Sequence, residues 1–284
     1  MIWKTRRHTF NFHEEESKKG VLMGILNTTP DSFSDGGQYT KIADCVAAGL
    51  DMIAAGAHII DIGGESTRPG APVVVAEEEI KRTVPIIRAL RKRSDVLISI
   101  DTSKAAVAAS AIDAGADIVN DVTGLTGDSD MMSVCADSCC GVVAMHMRGN
   151  PRTMQNDPRY TNGVIKELQV FFEERLETLT RSGIERERIC LDPGIGFGKT
   201  VEQNLTLIRQ LGEIQEQLGR PFLLGVSRKS MIGELTGIDI PSDRDAATAM
   251  ITAMSFQQGI FLHRIHNVSM NAQALRVADS IRFV

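Results

Sequence analysis

The sequence has no apolar run approaching the roughly 18 residues of a membrane-spanning helix, which argues against a helical membrane protein. Residues 1–20 also lack an apolar core segment and carry Lys4, Arg6, Arg7, Glu14, Glu15 and Glu16 instead. They read as an N-terminal polar arm, at most an edge hairpin, and as neither a signal peptide nor a membrane anchor. Five cysteines (Cys45, Cys135, Cys139, Cys140 and Cys190) are too few and too irregularly spaced for a disulfide framework, and no CxxC pair exists. Buried thiols in a reducing compartment, hence a cytoplasmic address, are expected. A net charge of −5 argues against a nucleic-acid surface and leaves room only for a local basic pocket. A GK[ST] phosphate loop, a dinucleotide fingerprint after the first strand, a low-complexity linker and a compositional break are all missing.

What is present is long enough, at 284 residues, to bury a sizeable core. The stretch 189–199, Ile-Cys-Leu-Asp-Pro-Gly-Ile-Gly-Phe-Gly-Lys, organises the reading. Its apolar start predicts a buried strand that stops in a backbone-rich loop, with Asp192 at the strand end. Gly194, Gly196 and Gly198 permit turn dihedrals and close approach of a ligand, and Phe197 offers a flat apolar face. A plain strand-to-helix connection with Asp192 as a cap fits the same residues.

The same design recurs. Strands are predicted at 21–26, 58–62, 96–100, 117–119, 141–145, 189–192, 222–226 and 260–265. Helical periodicity follows each, over 42–55, 77–92, 104–114, 130–138, 164–181, around Leu207, Leu211, Ile214 and Leu218, then 243–256 and 271–281. Near-continuous apolar strands suit a parallel sheet covered by helices. Eight strand–helix units predict a single-domain α/β fold over 1–284, a (β/α)8 TIM barrel, whose chemistry lies at the C-terminal strand ends.

Those ends carry Asn27, Asp61, Asp101, Asn120, His146, Asp192, Ser227 with Lys229, and Arg264 with His266. Singly, Asp61, Asp121 and His146 are ordinary caps or turn formers; together the ends form a polar ring. Asp101, Asn120, Asp192 and Lys229, near Met145 and Phe197, suit a flat heterocycle bearing ring N–H, amine and carbonyl groups, because a buried acceptor rejects ligands without the matching donor. Arg68, Arg264, His266 and Asn27 suit oxyanions, with Asn27 offering an oxygen to Mg²⁺. A Schiff base at Lys229 is the weaker alternative, since Arg228 and Ser230 beside it suit anchoring. His263 and His266 face opposite sides of a strand, which disfavours zinc.

Residues 24–37, 61–70 (Asp-Ile-Gly-Gly-Glu-Ser-Thr-Arg-Pro-Gly), 100–103 (Ile-Asp-Thr-Ser), 145–147 (Met-His-Met), 191–194 (Leu-Asp-Pro-Gly), 227–230 (Ser-Arg-Lys-Ser) and 264–266 (Arg-Ile-His) strongly resemble bacterial dihydropteroate synthases. The resemblance spans about 23–280. It implies a transferase of folate biosynthesis, condensing 6-hydroxymethyl-7,8-dihydropterin diphosphate with p-aminobenzoate, and sensitive to sulfonamides as a class. It implies pterin contacts at Asp101, Asn120, Asp192 and Lys229, walled by Met145, Phe197 and Gly225. Mg²⁺ would be held at Asn27, diphosphate at Asn27, Arg68, Arg264 and His266, and p-aminobenzoate near Phe33, Thr67, Arg68, Pro69, Phe197 and Ser227. The catalytic set is then Lys229, Arg264, His266 and Arg68, under closing loops 28–40 and 63–75, in a homodimer. One departure stands out: the family usually has Asp directly after the last His, and this chain has Asn267. Two rivals remain, a corrinoid methyltransferase on a similar pterin-binding barrel and a silent pterin-binding module. The Ser-Thr-Arg-Pro and Ser-Arg-Lys-Ser segments disfavour the first, and the diphosphate groups disfavour the second.

Overall fold

A computed structural model describes residues 1–12, 19–28, 38–66, 71–149, 154 and 158–282. Runs such as Ile59–Gly63 (β4), Leu97–Asp101 (β5) and Gly141–Met145 (β7) are buried at every position. Strands covered on both faces have no solvent side to alternate toward, so they pair in parallel. Val21–Asn27 (β3) pairs with β4, β4 with β5, and β5 with Ile118–Asp121 (β6); β6 then pairs with β7, and β7 with Ile189–Asp192 (β8). On the other side Leu262–Ile265 (β10) joins β3 to Leu223–Leu224 (β9). A parallel bridge between Leu191 and Phe222, with Leu191 N–H donating to Pro221 O at 2.9 Å, brings β8 to β9 and closes the barrel.

Helices follow the strands: Gln38–Ala54 (α1), Ala76–Arg91 (α2), Ala105–Ala114 (α3), Met131–Ser138 (α4), Val164–Arg181 (α5), Val201–Leu218 (α6), Ser230–Thr236 (α7), Asp245–Gln257 (α8) and Val268–Arg282 (α9). In α2, acids occupy the first turn and arginines the last, which suits the helix dipole. In α6 a capping box ties Thr200 to Gln203. The sequence reading missed α7, a short helix whose glycine and threonine dilute the apolar period. The eight expected barrel strands are all there, although β9 keeps only two residues of the expected 222–226.

Residues 1–12, read as part of a polar arm that could form an edge hairpin, do form an antiparallel hairpin, Ile2–Lys4 (β1) with Thr9–Asn11 (β2). Trp3 is fully buried, and its indole N–H donates to Arg188 O at 3.0 Å. Phe10 stacks on Trp3, and Phe12 on Phe261. The hairpin was expected from the sequence; its buried face, made by aromatic residues that alternate within a charged stretch, was not.

Candidate functional site

The polar strand ends collect at one mouth. A cavity of about 1520 Å³ opens there, lined by Asn27, Asp101, Phe197, Gly225, Ser227, Lys229, Arg264 and His266 among others. It exceeds the usual span for one small ligand. Asn120, Met145 and Asp192 are buried at the strand ends beneath this rim. Gly225 leaves clearance there: a Cβ at this position would stand 3.7 Å from Asp192 Oδ2 and 4.0 Å from Arg264 Cβ.

Side-chain alternation makes the floor. Asp61 pairs in register with Ser99, and Asp101 with Asn120, which sets their side chains in successive layers of the barrel. Arg264 Nε donates to Asp61 Oδ2 at 2.6 Å, and its Nη2 donates to Asp101 Oδ2 at 2.6 Å. Asn120 Nδ2 donates to the same Asp61 oxygen at 3.2 Å. One guanidinium thus serves two buried carboxylates. Burial pushes the Asp101 carboxyl up to about 7; Arg264 opposes the rise, and Asp61 adds to it. Burial alone would lower Arg264, but Asp61 and Asp101 hold it above its ordinary range. Arg264, grouped on sequence with the oxyanion residues, therefore lies against the carboxylates. Asp61, read as an ordinary turn former, is fully buried and orients two of its neighbours.

The loop after β8 makes one wall. Gly194 N–H donates to Asp192 Oδ1 at 2.7 Å, so Asp192 closes a turn and does not cap α6. Gly194 has φ +66, and a Cβ there would fall 1.9 Å from His146 O, so only glycine fits. Lys199 Nζ, nearly fully buried, donates to Gly194 O at 2.9 Å and Phe197 O at 3.1 Å, and meets His146 Nδ1 at 3.0 Å. Burial pushes its ammonium down to about 7, against the pull of Asp192. Burial and the adjacent Lys199 charge also push His146 down to about 3, so this ring is a neutral acceptor inside the wall. Asp192 is raised by burial, while Gly194, Lys229, Arg264 and Lys199 pull the other way. The Lys229 ammonium sits 4.1 Å above the centre of the Phe197 ring. Met145, Met154 and Phe197 form a small apolar cluster beside it.

On the adjoining wall, after β9, Ser227 Oγ accepts from His266 N–H at 3.1 Å and meets His266 Nδ1 at 2.9 Å. The hydroxyl therefore ties both the backbone and the ring of His266 to the turn after β9. His263 points away, its Nε2 at 2.9 Å from Ser255 Oγ on α8, so the two histidines do not converge. Asn27 lies exposed at the end of β3. Its amide oxygen is a hard donor suited to Mg²⁺, which keeps water and substrate oxygens as its other ligands. Among the described residues no group of three or more His, Cys, Asp or Glu could hold a metal. Phe33, Thr67, Arg68 and Pro69, and most of loop 28–40, lie outside the described residues.

Asp192, Lys229 and Arg264 share one site, as the sequence reading required. It missed Lys199 and the positioning role of Asp61. A lysine ending a run of glycines with no acid beside it was the available signal for the first. The second has no local signal, because its partners come from β6 and β10.

The sequence profile of the pterin binding enzymes matches residues 23–266. A dihydropteroate synthase of Synechocystis sp. is 47% identical over 264 residues, covering 93% of this chain and 91% of that protein. The structure of Yersinia pestis dihydropteroate synthase in a sulfonamide drug complex is 37% identical, with TM-score 0.91 and 100% of both chains covered. That of Xanthomonas albilineans dihydropteroate synthase in complex with 7,8-dihydropteroate is 35% identical, with TM-score 0.88 and 100% of both chains covered.

Proposed function

The chain belongs to the pterin-binding enzyme family, among the dihydropteroate synthases, and we propose that it joins 6-hydroxymethyl-7,8-dihydropterin diphosphate to p-aminobenzoate, releasing diphosphate and 7,8-dihydropteroate. It is a transferase of folate biosynthesis. The observation that carries the reading is a pair of buried carboxylates, Asp101 and Asp192, held above their ordinary pKa at the base of one cavity. Such acceptors are poorly solvated and call for ligand donors. A pterin ring brings ring N–H and an exocyclic amine to these acceptors and to Asn120, and a carbonyl and ring nitrogen to Lys229. Phe197 and Met145 supply its apolar walls.

The mechanism we favour ionises the substrate first. Asp101 and Asp192 hold the electron-rich ring, which itself spreads the positive charge left on its methylene carbon. His266 and Arg68 meet the departing diphosphate, and Arg264 lies between that anion and the carboxylates. Fixed donors aimed at developing charge are each worth about 2.7–4 kcal/mol. Mg²⁺, when bound at Asn27, would neutralise charge on the leaving group. Ser227 and Phe197 border the space where p-aminobenzoate would meet the ring carbon; in this reading Phe33, Thr67 and Pro69 would join them from loops 28–40 and 63–75, whose closure would keep water out. No protein nucleophile is needed, and a borohydride-reducible adduct at Lys229 would overturn the scheme.

The decisive assay is diphosphate release from both substrates with Mg²⁺, followed by competition with a sulfonamide. Binding of the pterin diphosphate without release would favour a silent binding module. A homodimer is supported by exposed apolar side chains on neighbouring helices, Met250 and Met254 on α8 and Val277 and Ile281 on α9. Sedimentation at micromolar concentration tests it. A cytoplasmic setting is supported by the five cysteines, all of which are free.

A further inference from the structure

Asn267, the departure from the family pattern, has a defined environment. Its Oδ1 accepts from Met270 N–H at 3.1 Å in the first turn of α9. That bond fixes the orientation of the amide, because an NH₂ group could not accept there. The Nδ2 is thereby directed at Asp245 Oδ2, 3.1 Å away on α8. Asp245 is buried and accepts both arms of Arg228, Nε on Oδ1 and Nη2 on Oδ2, each at 2.7 Å. Burial alone would raise this carboxyl, but Arg228, Asn267 and the nearby His266 hold it below its usual range.

Arg228 is the middle of the turn that follows β9. It has φ +60, a conformation that a side chain resists and its surroundings must impose. Its backbone N–H donates to Thr248 Oγ1 at 3.3 Å, and Arg244 Nη1 donates to the carbonyls of Arg228 and Lys229 at 3.2 and 3.4 Å. The start of α8 therefore grips this turn by its N–H, its carbonyls and its guanidinium. The turn carries Ser227 on one side of Arg228 and Lys229 on the other, and Asn267 directly follows His266.

We propose that Asp245 and Asn267 are positioning residues: a carboxylate on α8 and an amide at the end of β10 that together hold Arg228, and so set Ser227, Lys229 and His266 in one cavity wall. An aspartate at 267 would put a second carboxylate against the first beside one guanidinium. The amide instead caps α9 and donates to the carboxylate, so the pair needs one acid and one amide. Arg228 Nη2 and Asn267 Nδ2 meet at one oxygen, Asp245 Oδ2, so in an exchanged pair an aspartate at 267 would bring its carboxylate beside the guanidinium while an asparagine at 245 kept one acceptor for it.

The inference rests on the dihydropteroate synthase reading. Its test is steady-state kinetics and thermal unfolding of D245N, N267D and the exchange D245N/N267D. Losing one charge-assisted partner should lower kcat/KM for p-aminobenzoate by about 10–100-fold in D245N, mostly through KM. N267D should lose about tenfold through repulsion between like charges. The exchange should return to within about threefold of wild type, with kcat moved least, since coupled neighbours compensate. An exchange no better than the worse single variant, or D245N with wild-type KM, overturns the proposal. If D245N does not fold, Asn267→Ser replaces it: the cap stays and the donor to Asp245 goes, so KM should rise by about threefold and an unchanged KM again overturns the idea. Wild-type turnover decides the functional reading separately, because a wild type that releases no diphosphate fails that reading before any variant is compared.

Discussion

The two ends of the barrel use the same residue types to opposite effect. At the N-terminal end, Asp117 is fully buried and fully engaged: Arg7 Nε at 2.8 Å, Arg91 Nη2 at 2.6 Å and Ile98 N–H at 2.9 Å all donate to it. Arg220 donates to the carbonyls of Ile189 and Ile2, Arg188 donates to that of Cys140, and the Trp3 indole lies over them. At the C-terminal end, Asp61 and Asp101 share one arginine, and Asp192 accepts the Gly194 backbone N–H at 2.7 Å. At the first end one carboxylate is met by several donors of the protein; at the second, two carboxylates divide one guanidinium beside a cavity. Saturated charge holds the fold, and unsaturated charge at a cavity is where binding energy is obtained.

The largest effect should come from the unsaturated end. Asp192→Asn removes the acceptor without changing shape, and kcat/KM for the pterin diphosphate should fall by on the order of 10³-fold. Its unfolding midpoint should not fall, because a poorly solvated carboxylate is lost with it. A midpoint that drops by several degrees would erase the contrast between the ends. At the end built on Asp117, Asp117→Ala should cost about 3–5 kcal/mol in denaturant unfolding by removing the buried carboxylate that Arg91, Arg7 and Ile98 N–H share. The folded fraction should keep wild-type kcat, and a lower kcat would show that the two ends communicate.

A pH test sharpens the comparison. Asp101 titrates at about 7 in the folded protein and at about 3.9 in an unfolded chain. The folded state therefore holds this proton more tightly, and stability from this group falls as pH rises between those values. Asp101→Asn should match wild type near pH 4 and exceed it by on the order of 2 kcal/mol at pH 8. A difference that shrinks with rising pH would contradict the assignment. The smallest effect is expected at Lys199, which braces the loop after β8 through Gly194 O and Phe197 O. Lys199→Met should raise KM for the pterin about tenfold, about 1.4 kcal/mol, with kcat nearly kept. Equal loss in both would mean that Lys199 touches the reacting groups.

Residues 189–199 and the matching strand ends made the barrel legible in the chain alone, because buried parallel strands need unbroken apolar runs and the stops between them stand out. The ring of Asn27, Asp101, Asn120, Asp192, Lys229 and His266 followed, since in such a barrel every strand ends on the same face. A hairpin near the start was legible, but its docking was not: Trp3 is buried only because the barrel base lies over it. Nor was α7, which lacks the length to show a period.

By itself the sequence determined the strand–helix alternation, the polar residue at each strand end and the family to which these belong, all of which depend on near neighbours in the chain. Only the tertiary structure decided who partners whom: Arg264 with Asp61 and Asp101, Lys199 with His146, Asn267 with Asp245. These pairs join residues that are remote in the chain or lie on different elements, and parallel pairing around a closed barrel is what brings them within hydrogen-bond reach. Charge state and orientation follow from that proximity and from burial, neither of which a residue carries in its own identity.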